Sequence, residues 1–278
     1  MEGLDAFLRA TASWHDESCR ALRGEPDQRT FILDGLHRRA LRTFGEVTSL
    51  LENGWVDGAH ARCRTLYELS LVSNVLLHAD DETLQRYVDH RLVNEFRLAE
   101  AHTKHEGLII EPPPPQEELS RLRKARDDAV KKYGKAFKGP YGWAAHLASP
   151  FRGLASLEKI ANLEHNRPYF ELACINVHAD SRGLFWSMGL PSDVSGALAG
   201  ATDAGLALPG QSACISVHQC SLWRLLLPSL EGEAEYAEAL LRARVSKKLV
   251  DLCCDAFGRV AQAFDEGRRE MLAHTADD

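Results

Sequence analysis

Residues 66–77 have the sequence LYELSLVSNVLL, which as a helix is apolar on almost every face. A helix that is apolar all round is buried at the centre of a fold. The helical period continues on both sides of this segment, and strand alternation is scarce. The sequence therefore predicts an all-α fold, a bundle of about eight helices.

Gly, Pro, Asn and Asp residues separate the predicted helices. Four consecutive prolines, Pro112–Pro115, cannot be helical and predict a stiff joint over residues 108–116. Residues 116–138 carry many charges and few large apolar residues, which predicts a solvated helix projecting as part of a hairpin. Neither side of the joint has a complete set of buried helices, so we expect one domain, 1–278, with an elbow. The predicted helices are 4–23, 27–52, 58–78, 80–105, 116–138, 167–178, 211–227 and 233–274.

Charge and composition exclude some classes of protein. The net charge of -7 argues against a protein that coats nucleic acid without specificity, because neutralising phosphates requires a basic surface. No segment is long and apolar enough to predict a membrane span, and the first residues resemble no leader peptide. The seven Cys are scattered through apolar patterns. They predict buried thiols in a reducing cytoplasm.

Arg64 and Glu68 interrupt the apolar helix and lie on one of its faces, because they are four residues apart. A buried Arg requires a partner, which Glu68 provides. Two interpretations stay open. In the first, the two residues form a structural ion pair that fixes the helix register. In the second, Arg64 points into an internal polar site and Glu68 holds its orientation.

His178 closes the predicted helix 167–178, in which Tyr169 and its neighbours are mostly apolar. A His in the last turn is favoured by the helix dipole, and an imidazole is also suited to act as a base. Small all-α ribonucleases of the HEPN superfamily place an Arg and a His a few residues apart on a helix. Arg97 and His102 fit that spacing, although chance produces similar pairs here, such as Arg269 and His274.

Metal and cofactor motifs are weak. Two loose groups, His102/His105/Glu106 and Cys214/His218/Cys220, match no four-ligand zinc spacing, so we expect no metal. No Gly-rich phosphate loop and no Gly-x-Ser-x-Gly elbow is present, so we expect no cofactor and no hydrolase of that kind.

The run NGWVDGAHARCRTLYEL at 53–69 resembles the signature of an uncharacterised bacterial helical family, one of the numbered domains of unknown function. Its members have roughly the pattern N-G-x-x-D-G-A-x-A-R-x-R-T-L-x-E-L. The chain departs from the family at Cys63, usually an aromatic residue, and at Cys174, usually a small Ser-like residue. The similarity covers about residues 30–260, and its downstream motifs are Arg86-Tyr87, Tyr141-Gly142-Trp143 and Tyr169-x4-Cys174-x3-His178.

The resemblance implies an all-α cytoplasmic protein with Arg64, Glu68 and His178 in a shared polar centre. It implies no reaction. Some members resemble neighbours of mobile-element and anti-phage genes. A homo-oligomer and an RNA or protein partner stay open.

Three functions follow from these observations. The first is an interaction or effector module of a defence or stress type, with the charged helix 116–138 as its partner surface. The second is a specific form of the first, a metal-independent endoribonuclease. In it His178 is the base, Arg64 binds the phosphate and Glu68 orients Arg64. The third is a helical sensor with a small-molecule pocket lined by Trp143, Trp186 or Trp223. The expected binding residues are Arg86, Tyr87, Arg97, His102, Trp143 and Tyr169.

Overall fold

The computed structural model describes residues 2–21, 26–108, 110–175, 177–178, 181–185, 189–190, 199–225 and 233–276. These residues contain α-helices and short 3-10 segments and no strand, so the predicted all-α class is confirmed. The 3-10 segments are Lys135–Lys138, Gly142–Ala144 and Glu164–Asn166. The α-helices are α1 Glu2–Ala21, α2 Gln28–Glu52, α3 Val56–Leu77, α4 Asp81–Asp89, α5 Arg91–Lys104, α6 Gln116–Tyr133, α7 Leu154–Ala161, α8 Arg167–Cys174, α9 Arg182–Phe185, α10 Ala207–Leu225 and α11 Glu233–Ala276.

The chain divides into two compact units, the first made of Met1–Leu77 with His165–Asp278 and the second of His78–Glu164. The boundaries therefore lie at residues 77/78 and 164/165, and the Pro-rich joint lies inside the second unit. That the whole chain folds as one domain stays a prediction.

In the first unit, α3 is the central helix, packed against α2, α8 and α10. Its segment 66–77 is almost entirely buried, as its sequence predicts, with Leu66, Leu71 and Leu76 fully enclosed. The turn between α2 and α3 depends on Gly54, whose φ of +73° favours glycine. A Cβ there would lie 2.8 Å from the carbonyl oxygen of Thr202, so this glycine also permits a close backbone approach.

In the second unit, α5 and α6 form the predicted hairpin. Their contact is a small apolar cluster in which Leu119 and the partly buried Leu122 of α6 meet Phe96 and Ala99 of α5. The charged helix therefore has one narrow buried face.

Three predicted helix bounds were wrong. The predicted helix 80–105 is two helices, because a turn at His90 separates α4 from α5, and the His90 ring contacts the carbonyl oxygen of Gly139 at 3.1 Å. The charged helix ends at Tyr133, because Gly134 has a φ of +92°. The helix predicted to reach His178 ends at Cys174, and Ile175, Val177 and His178 lie in turns.

Candidate functional site

One face of α3 carries several polar groups, among them the predicted site residue Arg64. His60, Cys63, Arg64 and Tyr67 are spaced i, i+3, i+4 and i+7, which places them on a single stripe of a helix. This stripe lines a cavity enclosed by α3, the start of α8 and α10. The cavity has a volume of about 380 Å³ and is half open to solvent.

The rest of the cavity wall comes from α8 with the segment before it, and from α10. Helix α8 and the 3-10 segment before it contribute His165, Asn166, Tyr169, Phe170 and Ala173 to the wall. The side of α10 contributes apolar, hydroxyl and amide groups, from Leu208, Gln211, Ser212, Ile215, Ser216 and Gln219.

Arg64 contacts the other two predicted catalytic residues, Glu68 and His178. Its Nε atom lies 3.4 Å from Oε1 of Glu68, and its Nη1 atom lies 3.3 Å from Nε2 of His178. The guanidinium carbon is 5.2 Å from the centre of the Phe170 ring, a distance at which a cation is attracted to the ring face. The structure thus brings Arg64, Glu68 and His178 together, and it places Tyr169 and Phe170 on the same side of the cavity.

Arg64 and Glu68, which we expected to be buried, are partly buried. The exposed fractions of the two side chains are 26% and 31%, because α3 faces the half-open cavity at this position. Both side chains are thus partly buried, and the 3.4 Å between Nε and Oε1 is an ion pair without a hydrogen bond. Tyr169, expected among apolar residues, is 53% exposed.

The contact between Arg64 and His178 limits what His178 can do. A guanidinium only donates hydrogen bonds, so Nε2 of His178 is the acceptor and directs its lone pair at Arg64. A general base requires a lone pair that faces the proton to be removed. In this structure Nε2 of His178 is therefore a hydrogen-bond partner of Arg64, and its role as a base stays a prediction.

Sequence reasoning missed His60. Its side chain is only 3% exposed, it lines the cavity, and its Nε2 atom has no hydrogen-bond partner in the described residues. Burial lowers the pKa of His60 to about 4, so the ring is neutral at pH 7. The available signal was its spacing, since His60 precedes Arg64 by one helical turn.

The second unit holds most of the predicted binding residues. Arg86 is buried and donates from Nε to the carbonyl oxygen of Trp143 at 3.2 Å, and from Nη2 to that of Tyr133 at 3.2 Å. Tyr87 packs edge-on against Trp143, with ring centres 5.2 Å apart. These contacts join Arg86 and Tyr87 to the segment that contains Trp143. Their role in binding stays a prediction.

Arg97 and His102 lie on α5, also in the second unit. Arg97 is exposed and donates from Nη2 to the carbonyl oxygen of Lys138 at 3.1 Å. His102 is partly buried in the last turn of the helix. No described contact joins the two side chains, and their predicted function is untested.

Metal ligation finds no support in the described part of the chain, where no group of three or more His, Cys, Asp or Glu side chains could hold an ion. His218, one of the residues considered, contacts the hydroxyl of Ser246 through Nδ1 at 2.7 Å. Of the Trp residues expected to line a pocket, Trp143 is buried in the second unit. Trp186 and the side chain of Trp223 lie outside the described residues.

The fold and site define an all-α chain with a half-open cavity beside its central helix, whose walls are mainly apolar with a few polar groups. The family of unknown function DUF5677 matches residues 30–194, more than half of the chain, which therefore belongs to that family. The expected family of unknown function is thus confirmed, over a shorter range than predicted, while the signature and a bacterial origin stay predictions. No curated protein and no solved structure matches the chain. Among the described residues, no helix has the length and apolarity needed to cross a membrane.

Proposed function

We propose that the first unit is a binding module for a small organic anion, which enters the cavity between α3, α8 and α10. The observation that carries the proposal is Arg64 at the wall of a cavity of about 380 Å³. Cavities of this size accommodate small organic ligands, and a few polar groups among apolar walls fix the orientation of such ligands.

Charge supports an anion as the ligand. Nη1 of Arg64 contacts His178, whereas Nε faces Glu68 at 3.4 Å without a hydrogen bond and is a buried N–H group with no partner among the described residues. A guanidinium held in one orientation on both sides loses little conformational entropy when an anion arrives. Glu68 and His178 thus preorganise Arg64, and the remaining N–H groups are suited to a carboxylate, sulfonate or phosphate oxygen.

Binding is favoured over ribonuclease chemistry because of His178. The endoribonuclease hypothesis needs this residue as a base, and its Nε2 lone pair faces Arg64. An interaction or effector role in defence or stress remains compatible with ligand binding, since occupancy of the cavity would be one input to such a module.

The test uses 1-anilinonaphthalene-8-sulfonate, an aromatic anion that becomes fluorescent in apolar sites. We expect the wild-type chain to bind it saturably at one site. Arg64→Gln should weaken binding by about tenfold, because a charge-assisted contact is lost. Ser212→Trp should abolish binding, because Ser212 lines the cavity and a bulky ring there would fill much of its volume.

The matched control is Arg42→Gln, which removes the same charge from a side chain of α2 that is 73% exposed. It should bind the probe like the wild type. The midpoint of thermal unfolding should change little in Arg64→Gln, because Arg64 and Glu68 are partly exposed and their closest atoms are 3.4 Å apart without a hydrogen bond. Equal probe affinities in the wild type and Arg64→Gln would refute the proposed function.

A further inference from the structure

Two buried histidines join α1 to the rest of the first unit. Nδ1 of His15 in α1 lies 2.9 Å from Nδ1 of His37 in α2, and the two residues are only 5% and 3% exposed. On one side, Nε2 of His37 lies 3.1 Å from the hydroxyl oxygen of Ser221 in α10. On the other side, Nε2 of His15 lies 3.7 Å from Oδ1 of Asp34 in α2. The four side chains therefore form one series of polar contacts that links three helices.

The contacts determine where the protons of this series lie. The hydroxyl of Ser221 donates its only proton to the carbonyl oxygen of Val217 at 2.9 Å, so its oxygen accepts from Nε2 of His37. A neutral His37 with its proton on Nε2 has its lone pair on Nδ1. That lone pair accepts a hydrogen bond from the Nδ1–H group of His15. A neutral His15 then has its own lone pair on Nε2, the atom that faces Asp34.

The pair of histidines can take up one further proton without losing a contact. A proton on Nε2 of His15 creates an imidazolium beside the carboxylate of Asp34, which attracts it. The other oxygen of Asp34, Oδ2, pairs with Arg38 at 2.8 Å, so the carboxylate serves both cations. The hydrogen bond from His15 to His37 stays in place.

A second proton breaks the series. The site left for it is Nδ1 of His37, the atom that accepts from His15. Two N–H groups would then face each other at 2.9 Å, and two buried cations would be adjacent. Repulsion between like charges and the loss of hydration both oppose this state. Separation of α1 from α2 relieves both.

The surrounding charges favour the first proton over the second. Arg242, the cation that α11 presents to α1, pairs with Glu17. Asp34 is the carboxylate that the described contacts place against the pair, and it faces His15 rather than His37. The titratable or charged groups of the neighbouring helices are Asp34 and Arg38 from α2, His218 from α10 and Arg242 from α11.

A single face attaches α1 to the bundle. Its buried residues in the described part of the helix, Leu4, Phe7, Thr11 and His15, lie on one stripe. The stripe packs against α2 and α11, and the Phe7 ring meets the Phe44 ring of α2 edge-on with centres 5.6 Å apart. A helix held by one face opens at a lower free energy than a central helix, so α1 is able to separate while α3 stays folded.

We propose that His15 and His37 form an acid-sensitive clasp, which holds α1 on α2 while His37 is neutral and releases α1 when Nδ1 of His37 takes up a proton. The released helix uncovers Phe44, so acid exposes an apolar face of α2. A solvated histidine has a pKa of about 6.5. The opened state can bind this proton and the closed state cannot, so opening becomes more favourable as the pH falls below that value.

The test is hydrogen exchange of the full chain, followed by mass spectrometry at pH 7.5 and pH 5.5. Exchange rates are divided by those of unstructured peptides at the same pH, which gives a protection factor for each helix. In His37→Asn the amide oxygen replaces Nδ1 as the acceptor and takes up no proton. Between pH 7.5 and 5.5, the protection of α1 in this variant relative to the wild type should rise about tenfold, the effect of one proton with a pKa of about 6.5.

Two comparisons make this result specific. The variant loses the contact with Ser221 at both pH values alike, so the change of the ratio with pH reports the proton alone. The matched control is His218→Asn, which removes another buried histidine, and its α1 protection should follow the wild type. A ratio that does not change with pH overturns the clasp. The same tenfold change in α3 would show that the proton acts on the whole unit, and release of α1 would be wrong.

Nitrogen NMR of the wild type labelled with ¹⁵N-histidine tests the proton positions without any variant. A scalar coupling between two Nδ1 nuclei across their shared proton should identify the pair of His15 and His37. We expect one ring of this pair to carry its proton on Nδ1 and the other on Nε2. Absence of the coupling at pH 7.5 contradicts the clasp, and so does protonation of both rings while α1 stays protected. This measurement decides the question if His37→Asn does not fold.

Discussion

His60 links the candidate site to the stability of the fold. Burial lowers its pKa to about 4 in the folded chain, whereas an unfolded chain has the ordinary value of 6.5. Between pH 6.5 and pH 4, His60 therefore binds a proton in the unfolded state and stays neutral in the folded state. The stability contributed by neutral His60 is complete above pH 6.5 and is lost as the pH falls toward 4.

We predict that replacing His60 flattens this acid dependence. Between pH 7.5 and 4.5 the wild type should lose about 2–3 kcal/mol of unfolding free energy through His60 alone. His60→Gln cannot take up this proton, so its free energy of unfolding should fall by that much less over the same interval. Urea denaturation at the two pH values measures both. Burial also lowers the pKa values of His90 and His218, so the variant keeps part of the dependence. Parallel pH dependences in the two proteins would contradict the burial of a neutral His60.

The site residues differ in how far the sequence predicted them. Arg64 and Glu68 were predictable, because charges among apolar residues four apart must share a helix face. The placement of His178 beside them was implied by the family resemblance, since no local pattern joins residues so distant along the chain. His60 was missed because a single His at the start of an apolar helix is equally typical of a satisfied core residue. The walls from α10 depend on tertiary packing, which helical period alone does not give.

At the scale of elements, the helices were predictable and several of their ends were not. The apolar period identified α3 and α11 because they are long and regular. Local backbone geometry decided the ends that were wrong. Gly134 stops α6 through a positive φ, although Gly139-Pro140 is the stronger stop signal in the sequence. No Gly or Pro in the sequence predicts the break at His90. At this break the His90 ring contacts the carbonyl oxygen of Gly139.

Gly142, in the second 3-10 segment, is a position at which the addition of one methyl group should lower the stability of the fold. A Cβ there would lie 2.3 Å from the carbonyl oxygen of Phe137, a clash with backbone that no side-chain rotation relieves. We predict that Gly142→Ala lowers the free energy of unfolding by about 1–3 kcal/mol, the range for overpacking a tight contact. Thermal or urea unfolding of the variant measures the loss.

The same substitution at Gly35 is the control. Gly35 lies within α2 with nothing within 4 Å of an added Cβ. Gly35→Ala should raise the free energy of unfolding by about 0.5–1 kcal/mol, because alanine loses less backbone entropy in a helix. Destabilisation by both changes would show that the effect at Gly142 is not steric.

At the scale of the whole molecule, the second unit interrupts the first. The first unit is assembled from residues 1–77 and 165–278, and its α10 packs against α2 and α3 from the earlier segment. These contacts close a loop that contains all of residues 78–164. If those residues are unfolded, closing the loop costs about 4 kcal/mol of chain entropy. We expect an ordered second unit to remove much of that cost, and the predicted single domain requires such energetic coupling.

This coupling is testable by disturbing only the second unit. Arg86 donates to the carbonyl oxygens of Trp143 and Tyr133, and it pairs with Glu82 at 3.0 Å. Arg86→Met leaves both carbonyl groups unpaired and should destabilise the second unit by about 3 kcal/mol. Hydrogen exchange of the full chain, followed by mass spectrometry, should then show lost protection in α4–α6 and also in α10. The loss in α10 follows because the first unit now closes a looser loop. Loss confined to residues 78–164 would instead establish two independently folding domains.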